Sequence, residues 1–281
     1  MTIGSARDAF TELATAYHAG VAGDTEAAKS CCAAVYGIDL VGAFLGESYH
    51  PGGPALTRRL ADLMILRPLE VVLDVAAGIG STALLLAGER DVDVAGVDLG
   101  RAQVAKATAR AAGAGLAGRV RFEVGDAERL PFDDDAFDAV VCECAFCTFP
   151  DKATAASELA RVVRPGGRVG ISDVWLDPAG LDPEVAGLAG RIACIADARP
   201  IAEVCTILET AGLIVEGVER HDEALLTTIE KVELRLRALR LVDVPLLRRF
   251  NLRRGVELAR RTADVVRRGD AGYFLLVARH A

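Results

Sequence analysis

The stretch of sequence that most constrains this chain runs from Val71 to Leu86 and changes character in its middle. It begins as an unbroken apolar segment, passes through Gly78 and Gly80, and continues as an alanine- and leucine-rich segment. This order predicts a buried strand, a tight turn and a helix. The two glycines permit positive φ and leave the backbone bare, while the first turn of the helix has unpaired N–H groups. We therefore expect a ligand to bind at this turn.

The glycine spacing alone leaves the class of ligand open. Gly78-x-Gly80-x-x-Ala83 fits the loose dinucleotide fingerprint, so it does not separate a nicotinamide cofactor from S-adenosylmethionine. Asp74 stands just before the glycines, where its carboxylate would repel a pyrophosphate but could hold the amino group of a methionine moiety. This position favours S-adenosylmethionine.

Two further aspartates follow predicted strands. Asp98 ends the run from Val92 to Val97, and its carboxylate can accept both hydroxyls of a ribose, a contact that both cofactor types use. Asp126 follows the run from Val120 to Val124 and stands beside a small residue, where it can read the amino group of an adenine. The carboxyl ends of parallel strands meet at one edge of a sheet, so these side chains are expected to share one crevice.

Short motifs follow one another in a fixed order between residues 70 and 175. They are Asp74-x-Ala76-x-Gly78-x-Gly80, Val97-Asp98-Leu99, Gly125-Asp126-Ala127-Glu128-x-Leu130-Pro131-Phe132, Phe137-Asp138 and Arg164-Pro165-Gly166-Gly167. Together they resemble the ordered motifs of class I S-adenosylmethionine-dependent methyltransferases. The resemblance implies S-adenosylmethionine as the cofactor. It also implies a cofactor site formed by Asp74, Ala76, Gly78, Gly80, Ser81, Asp98, Leu99, Gln103, Asp126, Ala127 and Glu143.

The alternation of apolar runs and helical segments predicts an α/β fold of the Rossmann-like kind, with a mostly parallel seven-stranded sheet. Helices are expected at residues 101–113 and 151–163, strands at 138–144, 169–174 and 214–218, and a turn at 164–167. The resemblance adds an antiparallel last strand at the C-terminus. We expect an N-terminal helical cap and lid (1–67), a cofactor-binding core (68–223), a helical insertion (224–269) and the last core strand (270–281).

Composition limits the function classes. The chain has 281 residues, 52% of them hydrophobic, which is enough for a full α/β core. A net charge of −8 argues against a general nucleic-acid binder. No apolar stretch reaches the length of a membrane span, so we expect no membrane partner and a cytoplasmic protein. The insertion is rich in arginine, and we interpret it as a solvated helical face.

The seven cysteines are expected to be free thiols, and one of them stands out. Cys144 is predicted at the carboxyl end of the fourth strand, the edge at which methyltransferases of this fold face the methyl acceptor. No histidine or lysine stands beside it as an obvious base, but thiolates select soft centres such as trivalent arsenic. Cys194 follows the fifth strand and Cys31-Cys32 precede the cofactor domain, so both segments can fold over the same edge.

The surroundings of these cysteines carry a second resemblance. The segments Cys144–Lys152 and Ile192–Ala198 and the triplet Ser172-Asp173-Val174 resemble the corresponding stretches of bacterial arsenite methyltransferases. The resemblance implies that Cys144 and Cys194 bind As(III), aided by an upstream cysteine, for which we expect Cys32. These three are the predicted catalytic residues and substrate ligands. The implied reaction is a direct displacement on S-adenosylmethionine, with arsenite as the small-molecule substrate and a thiol reductant as a partner.

Other interpretations remain open. Free cysteine is often a small core residue, and we assign Cys142, Cys147 and Cys205 to the core. The acceptor could instead be an organic nucleophile of a biosynthetic pathway, with Tyr49, His50 or Glu143 lining its pocket. A cofactor-binding module that docks a partner, and a dehydrogenase, are less favoured. The full motif set argues against the first and the two aspartates Asp74 and Asp126 against the second.

Overall fold

The computed structural model of the protein describes residues 50–180, 197–240 and 251–281. The predicted cap before residue 50 lies outside these described residues. So do three of the predicted site residues or alternatives, namely Tyr49, Cys32 and Cys194. The predicted cofactor site and Cys144 lie within the described residues.

The core is one seven-stranded sheet in the order β3-β2-β1-β4-β5-β7-β6. The strands are β1 Val71–Val75, β2 Asp93–Asp98, β3 Val120–Val124, β4 Phe137–Glu143, β5 Val163–Leu176, β6 Leu213–Arg220 and β7 Ala271–His280. The pairs from β3 through β5 are parallel. β7 inserts between β5 and β6 and is antiparallel to both. The predicted Rossmann-like sheet with an antiparallel last strand is confirmed.

Seven α-helices accompany the sheet in the described residues. They are α1 Gly53–Leu63, α2 Ser81–Arg90, α3 Arg101–Gly113, α4 Lys152–Val162, α5 Ile201–Thr210, α6 Asp222–Leu239 and α7 Leu252–Arg267. The predicted helix at 101–113 matches α3. The helix predicted from residue 151 begins one residue later, because Asp151 is its N-cap and accepts a hydrogen bond from the Thr154 N–H at 2.9 Å. No helix in the described ranges is long and apolar enough to cross a bilayer.

The fifth strand is longer than its sequence pattern indicated. Strand β5 starts at Val163, which pairs with Phe137, and the next partners are Arg168 and Ala139. The intervening residues 164–167, predicted as a turn, therefore form a bulge against β4. Gly167 sits in this bulge, where a Cβ atom would lie 2.8 Å from the Asp138 carbonyl oxygen, so the tight backbone contact requires glycine.

The predicted helical insertion packs onto the sheet. Helices α6 and α7 bury one face in the same apolar cluster as the side chains of β7. The buried helical residues are Leu225, Ile229, Val256, Ala263, Val265 and Val266. Arginines on the opposite faces form ion pairs with neighbouring acids, as Arg260 does with Glu233 at 2.8 Å and Arg267 with Glu230 at 2.8 Å. These exposed pairs support the interpretation of a solvated face.

Candidate active site

The glycine-rich turn has the positive φ angles that its glycines were expected to permit. After β1 ends at Val75, Ala76, Gly78 and Gly80 have φ of 58°, 55° and 78°. Gly80 is the N-cap of α2, and a Cβ atom there would lie 2.5 Å from the Phe122 ring. The turn therefore reverses the chain within a few residues and presses α2 closely against the sheet.

A cavity lies at the carboxyl ends of β1, β2 and β4, beside this turn. Of the eleven residues predicted to bind the cofactor, ten line it. They are Asp74, Ala76, Gly78, Ser81, Asp98, Leu99, Gln103, Asp126, Ala127 and Glu143. The eleventh, Gly80, is not in the lining, and a Cβ atom there would meet the Phe122 ring. The remaining wall includes His50, Cys144, Thr148, Phe149 and Pro150.

Asp98 is fixed at the end of β2 by two backbone donors. Its Oδ2 accepts a hydrogen bond from the Gly78 N–H at 2.8 Å, and its Oδ1 accepts one from the Gly100 N–H at 2.8 Å. Burial raises the pKa of this carboxyl, and the two N–H donors oppose the rise. Each carboxylate oxygen has a second acceptor site, so the group can still take one hydroxyl on each oxygen.

Asp74 is more deeply buried, with 2% of its surface exposed. Its Oδ2 accepts a hydrogen bond from the Ala83 N–H in the first turn of α2 at 3.1 Å. Burial and the neighbouring Glu143 carboxylate raise the pKa of Asp74 well above its ordinary value. A positive charge arriving in the cavity would lower the pKa of this carboxyl and stabilise its ionised form.

Glu143, the last residue of β4, lies at the centre of a buried hydroxyl network. Its Oε2 accepts hydrogen bonds from Thr57 Oγ1 at 2.9 Å and Thr82 Oγ1 at 2.6 Å, and its Oε1 accepts one from Ser172 Oγ at 3.0 Å. The Ser172 hydroxyl also contacts the buried Tyr273 hydroxyl at 2.9 Å. The donors come from α1, α2 and β5, so the carboxylate ties three elements together at the cavity wall.

The cysteines near the end of β4 lie in different environments. Cys142 is fully buried, and burial raises the pKa of its thiol well above the ordinary value, so it stays protonated. Cys147 is also buried, while Cys205 is half-buried against the core. Cys144 lines the cavity, has φ of 53°, and donates its N–H to the Ser172 carbonyl at 2.6 Å. Among the described cysteines, Cys144 alone reaches the cavity.

His50 brings a titratable ring to the same wall. Its Nε2 lies 3.6 Å from Glu143 Oε2 and 3.3 Å from Thr57 Oγ1. The sequence near Cys144 offers no histidine, because His50 arrives from the turn before α1, about ninety positions earlier in the chain. His50, one of the residues expected to line the pocket of an organic acceptor, therefore does line the cavity.

Comparison with known proteins identifies the family. A model described as "Methyltransferase domain" matches residues 73–171. The 27-O-demethylrifamycin SV methyltransferase of Amycolatopsis mediterranei (strain S699) is 33% identical over 195 residues, which cover 64% of this chain and 72% of that protein. The chain belongs to the S-adenosylmethionine-dependent methyltransferases. Its cofactor is S-adenosylmethionine.

The methyltransferases that resemble this chain differ in the substrates that they are named for. An arsenite methyltransferase of Halobacterium salinarum (strain ATCC 700922 / JCM 11081 / NRC-1) is 32% identical over 166 residues, 57% of this chain and 41% of that protein. The solved structure of a geranyl diphosphate methyltransferase in complex with SAM superposes with a TM-score of 0.66 at 20% identity, covering 81% of this chain and 85% of that one. The last likeness concerns the fold alone.

The described residues fit the cofactor of this methyltransferase family. S-adenosylmethionine carries an ammonium and a sulfonium group. The cavity has two carboxylates in electrostatic contact, the buried Asp74 and Glu143, whose side chain is 3% exposed. The free acceptor sites of Asp98 match a ribose diol, and Asp126 lies with Ala127 at the cavity's third strand end. A pair of buried acids is costly without a cation, so a doubly cationic ligand suits this site.

The sequence analysis missed several residues around the site. Thr57, Thr82, Ser172 and Tyr273 form the network around Glu143 but were not predicted. Each is a common residue type in an ordinary helix or strand, and Thr57, Thr82 and Tyr273 belong to no recognisable motif. Only one signal was available, because Ser172 stands in the triplet Ser172-Asp173-Val174 that carried the resemblance.

Proposed function

We propose that this methyltransferase transfers a methyl group to arsenite held by Cys144. One observation carries the proposal, which is the position of that thiol. Of the six described non-glycine residues with positive φ, only Ala76 and Cys144 line the cavity. A left-handed backbone costs a non-glycine residue on the order of 1 to 2 kcal/mol, and such strain concentrates at functional sites. The presence of a cysteine in this strained conformation, beside the cavity, supports a functional role for its sulfur.

The chemistry of sulfur supports arsenite as the acceptor. Thiolates bind soft trivalent centres, and a thiolate-bound As(III) retains a lone pair that carries no proton. Such an acceptor needs no general base, and the thiol has only to hold it with the lone pair directed at the methyl group. S-adenosylmethionine supplies that methyl group as an electrophile on a positively charged sulfur. Orientation of this kind can contribute roughly 7 to 11 kcal/mol in well-aligned cases.

The proposal includes two thiols outside the described residues. Cys32 and Cys194 complete the expected set of three ligands with Cys144. Forming the carbon–arsenic bond takes the lone pair from arsenic, which passes formally from the trivalent to the pentavalent state. Two electrons are needed to return it to the trivalent state, and two thiols can supply them by forming a disulfide. A thiol reductant is therefore a proposed partner.

A second candidate is an organic acceptor, and His50 is the observation that favours it. An imidazole in the cavity lining, 3.6 Å from the Glu143 carboxylate, can accept the proton that a hydroxyl loses on methylation. The Amycolatopsis relative is named for such an organic substrate. Under this candidate His50 is the base, and the Cys144 thiol plays no part in the chemistry.

One experiment separates the two candidates. The protein is incubated with S-adenosylmethionine, a thiol reductant and arsenite, and methylated arsenicals are measured by mass spectrometry. We expect turnover in the wild type and in Cys142→Ser, the matched control two positions away in the core. We expect loss of turnover in Cys144→Ser with unchanged cofactor affinity. If the wild type binds the cofactor but neither binds nor methylates arsenite, the organic acceptor replaces arsenite as the proposal.

A further inference from the structure

The two buried carboxylates of the cavity have different surroundings. Asp74 lies behind the glycine-rich turn and accepts the backbone N–H of Ala83 at 3.1 Å. Glu143 ends β4, one strand further along the sheet, and accepts hydroxyl groups from Thr57, Thr82 and Ser172. The two acids therefore face the same cavity from neighbouring strands, but they are held in place by different groups.

The hydroxyl groups fix Glu143 without neutralising it. A hydroxyl donor orients a carboxylate and satisfies one lone pair, but it brings no net charge. Among the described side chains within reach, His50 at 3.6 Å is the one that can carry a positive charge. The negative charge of Glu143 is felt by Asp74, because it contributes to the raised pKa of that group. The Glu143 carboxylate is thus held in a fixed position at the cavity wall, where a cationic ligand can complement it.

The position of Glu143 places this charge at the reactive end of the cavity. Asp98, at the end of β2, is the residue predicted to bind the ribose, and Asp126, after the end of β3, is the residue predicted to bind the adenine. Glu143 stands on the opposite side of β1 from both, directly before Cys144 and near the wall formed by Thr148 and Phe149. The methionine part of the cofactor, with its sulfur, belongs on that side.

We propose that Glu143 distinguishes the cofactor from its product by charge. S-adenosylmethionine carries an ammonium and a sulfonium, whereas S-adenosylhomocysteine keeps the ammonium and has a neutral sulfur. Asp74 supports the ammonium that both ligands share. Glu143 attracts the sulfonium, so its contribution disappears when the methyl group leaves. This positioning residue therefore favours binding of the cofactor and release of the product, whatever the methyl acceptor is.

Calorimetric titration of the wild type and three variants with S-adenosylmethionine and with S-adenosylhomocysteine tests this inference. Glu143→Gln keeps the shape of the side chain and removes its charge. In this variant we expect the affinity for S-adenosylmethionine to decrease about tenfold, and the affinity for S-adenosylhomocysteine to decrease by less than about twofold. In Asp74→Asn both affinities should decrease by a similar factor. Ser172→Ala removes one of the three hydroxyls but keeps the charge, so the ratio of the two affinities should stay at the wild-type value.

A third ligand sharpens the test. Sinefungin carries a protonated amine on carbon where the cofactor carries its sulfonium methyl group, and it should follow S-adenosylmethionine in every variant. Equal weakening of all three ligands in Glu143→Gln would overturn the inference, since it would show that Glu143 only shapes the pocket. Unchanged binding of all three would overturn it as well.

A measurement on the wild type keeps the inference testable if Glu143→Gln does not fold, which its melting curve would show. Titrations in buffers of different ionisation enthalpy report the protons released on binding. The extra charge of S-adenosylmethionine should make it release more protons than S-adenosylhomocysteine, because a sulfonium beside Glu143 weakens the repulsion that Glu143 exerts on Asp74, and the raised pKa of Asp74 then decreases. Equal proton release by the two ligands would contradict the proposed role of Glu143.

Discussion

The two ends of the cavity are built in different ways. The cofactor end uses a glycine-rich turn and aspartates at three successive strand ends, all between Asp74 and Ala127. The acceptor end gathers His50, Glu143, Cys144 and Phe149, and its network extends to Tyr273 on the last strand. The predicted cofactor-binding groups other than Glu143 thus come from a short, ordered part of the chain, whereas the acceptor end depends on contacts between distant segments.

This difference explains how one fold serves many acceptors. A site made from consecutive βα units keeps its geometry as long as those units pair in order. A site made from distant side chains can change when any one of the contributing elements changes. We therefore expect substitutions at the cofactor end, and at Glu143, to affect every reaction of this methyltransferase, and substitutions of His50 or Cys144 to affect only the reaction with its own acceptor.

The largest expected effect concerns Gly80. A side chain there would meet the Phe122 ring at 2.5 Å and would force φ of 78° on a non-glycine residue. We expect Gly80→Val to abolish S-adenosylmethionine binding in calorimetry and to lower the free energy of unfolding by about 3 kcal/mol. Gly88→Ala is the matched control on α2, because a Cβ atom there meets nothing within 4 Å and adds helix propensity. Normal cofactor binding by Gly80→Val would show that the turn does not form the cofactor end.

The next effect concerns Asp98. Its replacement by Ala removes the acceptor for the ribose hydroxyls and the partner of two backbone N–H groups. We expect S-adenosylmethionine affinity to decrease by about 1.5 to 3 kcal/mol of binding free energy. Asp93, at the other end of β2, forms an exposed ion pair with Arg119. Asp93→Ala should therefore leave the affinity unchanged, and a similar loss in both variants would argue against a specific ribose contact.

Asp74 should show opposite effects on stability and on binding. Burial raises its pKa, so the folded protein holds this proton more tightly than the unfolded chain. Its contribution to the free energy of unfolding is therefore largest at low pH and decreases as the pH rises above the ordinary value of 3.8. We expect Asp74→Asn to raise the melting temperature of the ligand-free protein at pH 7 and to weaken cofactor binding.

The pH dependence of binding gives a second measurement on Asp74. A cationic ligand prefers the ionised carboxyl, so wild-type affinity for S-adenosylmethionine should rise with pH until Asp74 is fully ionised. In Asp74→Asn this rise should be smaller. Two results together would contradict this account: a lower melting temperature of Asp74→Asn at neutral pH, and a pH profile of affinity that matches the wild type. They would mean that the Asp74 charge is already compensated in the ligand-free protein.

The smallest effect concerns Arg110, which holds the glycine-rich turn from outside the cavity. Its Nη1 donates to the Ile79 carbonyl at 2.6 Å and to Ser81 Oγ at 3.0 Å. Because the side chain is exposed, we expect Arg110→Ala to weaken cofactor binding by only about threefold, and Arg110→Lys to restore part of the loss. A loss as large as that of Asp98→Ala would show that the outer contact, and not the aspartate, governs the cofactor end.

The fold was predictable where its signals are local. Helix α3 begins and ends where its pattern indicated, and the alternation of strands and helices fixed a parallel sheet. The start of β5 was not predictable, because the bulge at residues 164–167 depends on pairing with Phe137. The residue pattern of one strand does not determine the register in which that strand pairs with a neighbouring strand.

The site divides in the same manner. The cofactor residues follow strand ends that the sequence marks, and Asp74, Asp98 and Asp126 line the cavity as expected. The surroundings of Glu143 were not predictable, because its hydroxyl donors are residues 57, 82 and 172, brought together only by folding. His50 was expected to line the pocket of an organic acceptor and does so, but its approach to Glu143 at 3.6 Å also arises only from folding.

The most direct test of the cofactor end is a crystal structure of the complex with S-adenosylhomocysteine. The measured quantities are the distances from the two Asp98 carboxylate oxygens to the ribose hydroxyls. The arrangement of the strand ends predicts that both hydroxyls lie within about 3.2 Å of these oxygens, with the adenine near Asp126 and the amino group on the side of Asp74. A ligand bound with its ribose away from Asp98 would contradict the assignment of this edge of the sheet as the cofactor site.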